Sequence, residues 1–164
     1  MAQIDYFYSL MSPFTYLAGD QLERIAARHG VGIVYRPADL GKVLGETGGL
    51  PVPKRHPFRQ EYRLQELRRL SERAGMTLNI QPAFWPVDPT RASQAVLAVA
   101  SAGGDAGTLS QAFLRACWAE ERNVADPVTL SDILAENGHD AAALAGAIDA
   151  AAAQYQENTA LCLE

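Results

Sequence analysis

Ser12 and Thr15 stand three residues apart in the stretch Tyr8-Ser9-Leu10-Met11-Ser12-Pro13-Phe14-Thr15-Tyr16-Leu17-Ala18. Serine is a preferred helix N-cap and proline a preferred first helical residue. A strand entering this stretch would therefore hand over to a helix whose first turn holds a hydroxyl. The free N–H groups and the positive end of the helix dipole point to where an anion would sit. A thiolate there would be stabilised, and the hydroxyl beside it has a proton to donate. Cysteines at such places have lowered pKa values for the same reason. Neither position 12 nor 15 is a cysteine, so dithiol–disulfide exchange is closed to this pair and any thiol chemistry needs a borrowed thiol. The competing reading is that Ser12 only caps the helix, a common use of Ser-Pro.

Phe84-Trp85-Pro86 lies in an irregular segment before a capped helix. An aromatic side chain there offers a wall for a flat ligand, or else ordinary packing. Asp88 reads as an N-cap rather than a ligand. His29, His56 and His139 lie far apart and none has a metal-ligand partner at i+3 or i+4, so no metal site is expected. Cys117, in register with Phe113, Leu114 and Trp118, reads as a small core residue. No GxxxxGK[ST] or GxGxxG motif is present, and no nucleotide site follows.

The elements that must position these residues can be read from periodicity. Residues 3–10 place Ile4, Tyr6, Tyr8 and Leu10 on one face at period 2, predicting a half-buried strand. Phe14, Leu17, Ala18, Leu22, Ile25 and Ala26 recur at helical spacing, and Gly30 supplies a stop. Residues 31–36 predict a second strand, which Pro37 ends. A β-α-β unit of this kind implies parallel strands. A short helix is expected around residues 40–44, then a glycine- and proline-rich loop. Residues 57–74 predict a strong helix with Phe58, Tyr62, Leu67 and Leu70 on its buried side. Residues 76–87 are extended, but Pro82 and Pro86 forbid a central strand. Four helices follow: from Asp88-Pro89 to about Ser101, 109–122 capped by Thr108, one from Asp126-Pro127 to Gly138, and one capped by Asp140 from 141 to the end. Ten of the last 24 residues are alanine, which favours helix. The organisation expected is 1–37 as the β-α-β part, 38–87 as loop, basic helix and connector, and 88–164 as a helical block.

The chain has 164 residues, 48% hydrophobic and 20% charged, as expected of a globular domain with a sizeable core. No apolar run of about 18 residues exists, so no membrane span is expected. Two cysteines and no basic, apolar leader read as reduced thiols in a cytoplasmic protein. The net charge of −5 argues against a nucleic-acid partner. That sum hides an asymmetry: residues 1–82 carry 11 Lys/Arg against 8 Asp/Glu, residues 83–164 carry 3 against 11. The positive charge peaks in 54–73, with seven Lys/Arg and three Glu.

The strand followed by Ser12-Pro13-Phe14-Thr15-Tyr16-Leu17-Ala18 resembles the glutathione-dependent branch of the DsbA-like thioredoxin fold. That branch holds the 2-hydroxychromene-2-carboxylate isomerases and kappa-class glutathione transferases, which carry Ser-Pro-aromatic-Ser/Thr where redox relatives carry Cys-Pro-x-Cys. Arg36 to Gly41 resembles the family's second strand and turn, and Thr47-Gly48-Gly49-Leu50-Pro51 its T-G-N-x-P segment. Tyr62 to Arg69 resembles its Y-x-x-x-D-L-x-R helix, Asn123 to Pro127 its N-I-A-D-P, and Asn158-Thr159 its N-T. Gly49 and Asp88 depart from the pattern, which often has Asn at or near both.

The resemblance implies an α/β thioredoxin-like domain of DsbA/kappa type with an all-helical insertion. It implies glutathione as cofactor, with the Ser12 hydroxyl bonded to its sulfur and favouring the thiolate, and with Phe14 and Arg59 also touching glutathione. In the isomerases that thiol adds reversibly to an aromatic carboxylate and leaves after a double bond has rotated. Lys42 and Lys54 match places near the substrate carboxylate, and Trp85 is the expected substrate wall; each cation equally fits a solvated surface charge. Arg68, Arg69 and Arg73 read as a solvated helix face. The family's cis-proline loop, hairpin and final helix follow its N-T segment and have no counterpart in this sequence, so only the β-α-β half of the sheet is expected. A homodimer is a further implication. Two other functions fit the same residues: a kappa-like transferase consuming glutathione, and a non-catalytic thioredoxin-like binding module.

Overall fold

The computed structural model describes residues 2–164. Strand β1 (Gln3–Tyr8) and strand β2 (Gly32–Pro37) pair in parallel, from Gln3 opposite Gly32 to Tyr8 opposite Pro37. Along β1 the outward residues Gln3, Asp5 and Phe7 are exposed, while Ile4, Tyr6 and Tyr8 turn inward. The Tyr6 and Tyr8 rings stack at 4.9 Å, and Tyr35 from β2 meets both edge-on. The period-2 pattern thus builds an aromatic floor on one face of the sheet.

The connection between the strands is two helices, not the one that periodicity predicts. Helix α1 covers Pro13–Ala18 and α2 covers Gln21–His29. Gly19 breaks the run at φ +56°, a conformation glycine adopts without strain. Its carbonyl accepts a 3.0 Å hydrogen bond from Gln111 Nε2 of a later helix. Helix α3 (Leu40–Glu46) follows β2, a short 3-10 turn covers Val52–Lys54, and α4 is Pro57–Ala74.

Helix α4 is rotated from the expected orientation. Arg63 and Leu67 are its buried residues, with Leu70 half-buried, whereas Phe58 and Tyr62 are 75% and 52% exposed. Positions 63, 67 and 70 share one helical stripe; 58 and 62 lie on the next one round.

The helical block comprises α5 (Thr90–Ser101), α6 (Ala106–Trp118), α7 (Pro127–Glu136), α8 (Ala141–Ala150) and α9 (Ala152–Leu161). Residues 92–99 of α5 are all buried, so this helix runs through the middle of the block. Its neighbours contribute Phe113, Leu114 and Trp118, fully buried and worth about 1.5–3 kcal/mol each as apolar side chains removed from water. The block reaches the aromatic floor through Tyr8, whose hydroxyl lies 2.6 Å from Ser110 Oγ. Ser110 itself donates to the Ala106 carbonyl, so the Tyr8 hydroxyl is the donor of that pair.

Several boundaries differ from expectation: β1 ends at Tyr8 and not at residue 10, and α6 ends at Trp118 and not at 122. Helix α6 is capped by Asp105, whose carboxylate accepts from Thr108 N and Thr108 Oγ1; these bonds hold its carboxyl below the usual carboxylate range. Helix α5 begins at Thr90, with Asp88 accepting from Thr90 N one residue further out than an N-cap. The last helix is interrupted at Ala151 although neither glycine nor proline marks the place. Tertiary contacts fix α9 instead. Buried Asn158 accepts from Arg36 Nη1 and donates to the Pro37 carbonyl, and Thr159 Oγ1 accepts from Asp39 N at 2.9 Å. Asn158 and Thr159 therefore fasten the helical block to the end of β2.

Candidate functional site

Strand β1 ends beside the core: Ser9 and Leu10 are buried. Ser9 then folds the chain into a turn, its hydroxyl accepting from Met11 N and its carbonyl from Ser12 N. That turn sets Ser12 at the N-cap of α1, extended at φ −90° and ψ 121°. Ser12 Oγ accepts from Thr15 N at 3.2 Å. Both readings of this serine are therefore compatible. The cap uses a lone pair of the oxygen, while the hydroxyl proton has no acceptor among the described residues.

Ser12 lines a cleft of about 360 Å³, within the range of small-molecule sites. Phe14, Leu44, Val52, Pro86 and Val87 give it a mostly apolar lining, and Trp85 forms a wall. Trp85 Nε1 donates to the Met11 carbonyl at 3.0 Å, and its ring meets Trp118 at 5.6 Å. The Trp85–Pro86 peptide is cis. Two cations also line the cleft, Arg55 and Arg63. Arg55 is pinned by a 2.7 Å bond from its Nε to the Leu50 carbonyl. Arg63 lies over the Trp85 ring, with Cζ 5.0 Å from the centroid. Burial, and then the nearby Arg55, pull its pKa below the ordinary arginine value.

The structure brings together Ser12, Phe14 and Trp85 of the residues singled out in the sequence. It does not place the three expected cations in that cleft. Lys42 lines a separate cavity with Gln94 and Tyr155, Lys54 is exposed on the 3-10 turn, and Arg59 is exposed on the first turn of α4. Arg55 and Arg63 stand where cations were expected. A larger cavity of about 620 Å³ shares Phe14 but is walled by Arg24, Arg73 and Met76 and does not include Ser12. Gly49 packs closely on Leu44, whose side-chain end would have to turn aside to admit a Cβ there. His56 caps α4 through Nδ1, and Cys117 is buried with its thiol pushed up to about 12. Among the described residues no group of three His, Cys, Asp or Glu could hold a metal, and no helix is long and apolar enough to cross a membrane.

A parallel β-α-β unit with a capped Ser-Pro turn at the end of its first strand, and a helical block on one face, defines a thioredoxin-type domain. The profile of the DSBA-like thioredoxin domain matches residues 3–162, and the chain belongs to that family. A 78-residue segment, 46% of the chain, is 30% identical to a 2-hydroxychromene-2-carboxylate isomerase of Pseudomonas putida and spans 37% of that protein's length. A solved 2-hydroxychromene-2-carboxylate isomerase superposes with a TM-score of 0.78 at 23% identity, over 97% of this chain and 78% of that one. The cytosolic disulfide reductase DsbM of Pseudomonas aeruginosa, solved with GSH, gives 0.68 at 19%, over 95% and 77%. Both superpositions show the fold.

Proposed function

We propose that this protein is a glutathione-dependent cis–trans isomerase of the 2-hydroxychromene-2-carboxylate isomerase type. The observation that carries the reading is Ser12: an oriented hydroxyl, its acceptor side satisfied by Thr15 N and its proton unused, at the mouth of an apolar cleft. The likeness to an isomerase in part of the sequence supports the same reading.

The residues present fit the sulfur end of glutathione. Ser12 would hold the sulfur and Phe14 the backbone beside it. When bound, glutathione would supply a thiolate nucleophile that adds reversibly to the aromatic acid. The chain's own contribution is positional and electrostatic. Donation from Ser12 favours the charged form of a thiol and so lowers its pKa. The apolar lining strengthens that bond by keeping water out. Trp85, tethered to Met11, keeps a flat surface at a fixed height above the same turn.

The test is to follow free thiol while the protein is incubated with glutathione and a hydroxychromene carboxylate. An isomerase returns all the glutathione while the chromene absorbance changes. Consumption of glutathione would mean a transferase, and no glutathione binding would mean a non-catalytic module.

A further inference from the structure

Arg63 is an exception among the arginines of this fold. It is 7% exposed, yet no ion pair joins it to an acidic side chain among the described residues. The partly buried Arg36 and Arg122 are paired, with Asp5 and with Glu120 and Glu136. Arg68, Arg69 and Arg73 of the same helix are exposed. A buried cation without an ion-pair partner is unfavourable; here burial and then Arg55 in the same cleft work against its charge, and Glu66, which forms no ion pair with it, offsets only part of this. What holds Arg63 is the face of Trp85, 5.0 Å from its Cζ. Stacking uses the flat face of the guanidinium and leaves the N–H donors at its edge free. No protein group accepts from them among the described residues, and the side chain lines the same cleft as Ser12.

We infer that Arg63 binds the carboxylate of a planar aromatic acid, gripping it by a two-point hydrogen bond while Trp85 and the prolines and aliphatic residues of the cleft cover the ring. This rests on the reading of the cleft as the substrate site and puts Arg63 in the role that the sequence suggested for Lys42 and Lys54. The shape of the lining selects the class of anion. Pro13, Pro86, Pro89, Val87 and Leu44 would be wasted on inorganic phosphate, and suit a flat apolar body carrying one charged end. A guanidinium fork matches a carboxylate bidentately, which a lysine does not.

Calorimetric titration with 2-naphthoate and its neutral isostere 2-naphthamide, without glutathione, tests this. The wild-type protein is expected to prefer the acid by about tenfold or more, the worth of a charge-assisted hydrogen bond. Arg63→Met should abolish the preference while keeping the naphthamide affinity, which shows that the cleft is intact. If Arg63→Met loses both ligands, Arg63→Lys decides: weaker naphthoate with unchanged naphthamide supports the inference, and unchanged naphthoate overturns it. A wild-type protein without preference, or an Arg63→Met protein that retains it, also overturns it. The titration contains no glutathione, so a protein that binds no glutathione can still show the preference, and a failure of the glutathione reading and a failure of this one are separable.

Discussion

Trp85 Nε1 donates a 3.0 Å hydrogen bond to the carbonyl of Met11, joining the wall of the cleft to the residue that precedes Ser12, 74 positions earlier in the chain. The bond makes the aromatic wall and the serine turn one rigid piece. It also explains why an irregular, proline-flanked segment holds a fixed ring: indole has a single donor, and the carbonyl that accepts from it belongs to the site loop.

Trp85→Phe keeps an aromatic face and removes that donor. The half-buried Met11 carbonyl then lacks its partner, and the protein should lose about 1–2 kcal/mol in urea unfolding. A loss no larger than that of a surface substitution would show that the tether is not structural.

Asn158 is fully buried and answers both Arg36 and the Pro37 carbonyl. Asn158→Leu removes both hydrogen bonds and leaves buried polar groups unpaired, with an expected cost of about 2–4 kcal/mol. Helix α9 should become the first site of limited proteolysis, because its docking to β2 depends on this residue and Thr159. Cleavage that begins elsewhere in the chain would contradict the assignment.

The alkaline limit of stability follows from buried acids. Burial pushes the Cys117 thiol from its usual 9.0 up to about 12, and Tyr155 likewise from 10.0 to about 12. In both, the folded chain keeps a proton that the unfolded chain loses. Their contribution is complete below about pH 9 and is lost as pH rises towards 12. Cys117→Ala removes the thiol's share, so its urea midpoint should fall less between about pH 8 and pH 10 than that of the wild type. Equal falls would contradict the placement of Cys117. Ellman's reagent at neutral pH should reach half-buried Cys162 before buried Cys117.

A Cβ on Gly49 would meet the Cδ2 end of the Leu44 side chain, which must turn aside to admit it. Gly49→Asn should destabilise the loop over Arg55 by about 1–3 kcal/mol, as overpacking does, and should weaken naphthamide as well as naphthoate binding, since both share the cleft. An unchanged stability would mean that Leu44 moves aside freely.

Much of the fold is legible in the sequence because local signals agree. Period-2 tyrosines, Ser12-Pro13 and Gly30 specify the β-α-β unit, and Asp126-Pro127 and Asp140 mark helix starts where the structure has them. Gly19 carries the signal of a breaker, but the apolar pattern continues across it and masks the break. Ala151 was not readable, since the interruption there comes from docking and not from any residue type. The site divides in the same way. Ser12 and Trp85 carry recognisable local chemistry. Arg63 carries none: an arginine on a basic helix reads as solvated, and Phe58 and Tyr62 read as the buried side because they are more apolar. Only the stripe through Leu67 and Leu70, extended one turn back, points to position 63. Burial of that charge follows from tertiary packing against Trp85, which no local window contains.

The most direct measurement of the central claim is the ultraviolet titration of the glutathione thiolate in the presence of saturating protein. Free thiols of this kind ionise near pH 8.5, and donation by Ser12 to the charged form should lower the bound value by about one unit or more. Ser12→Ala, which keeps the fold but removes the proton donor, should return most of that shift. A bound glutathione that titrates alike in the wild-type and Ser12→Ala proteins would contradict the role of Ser12.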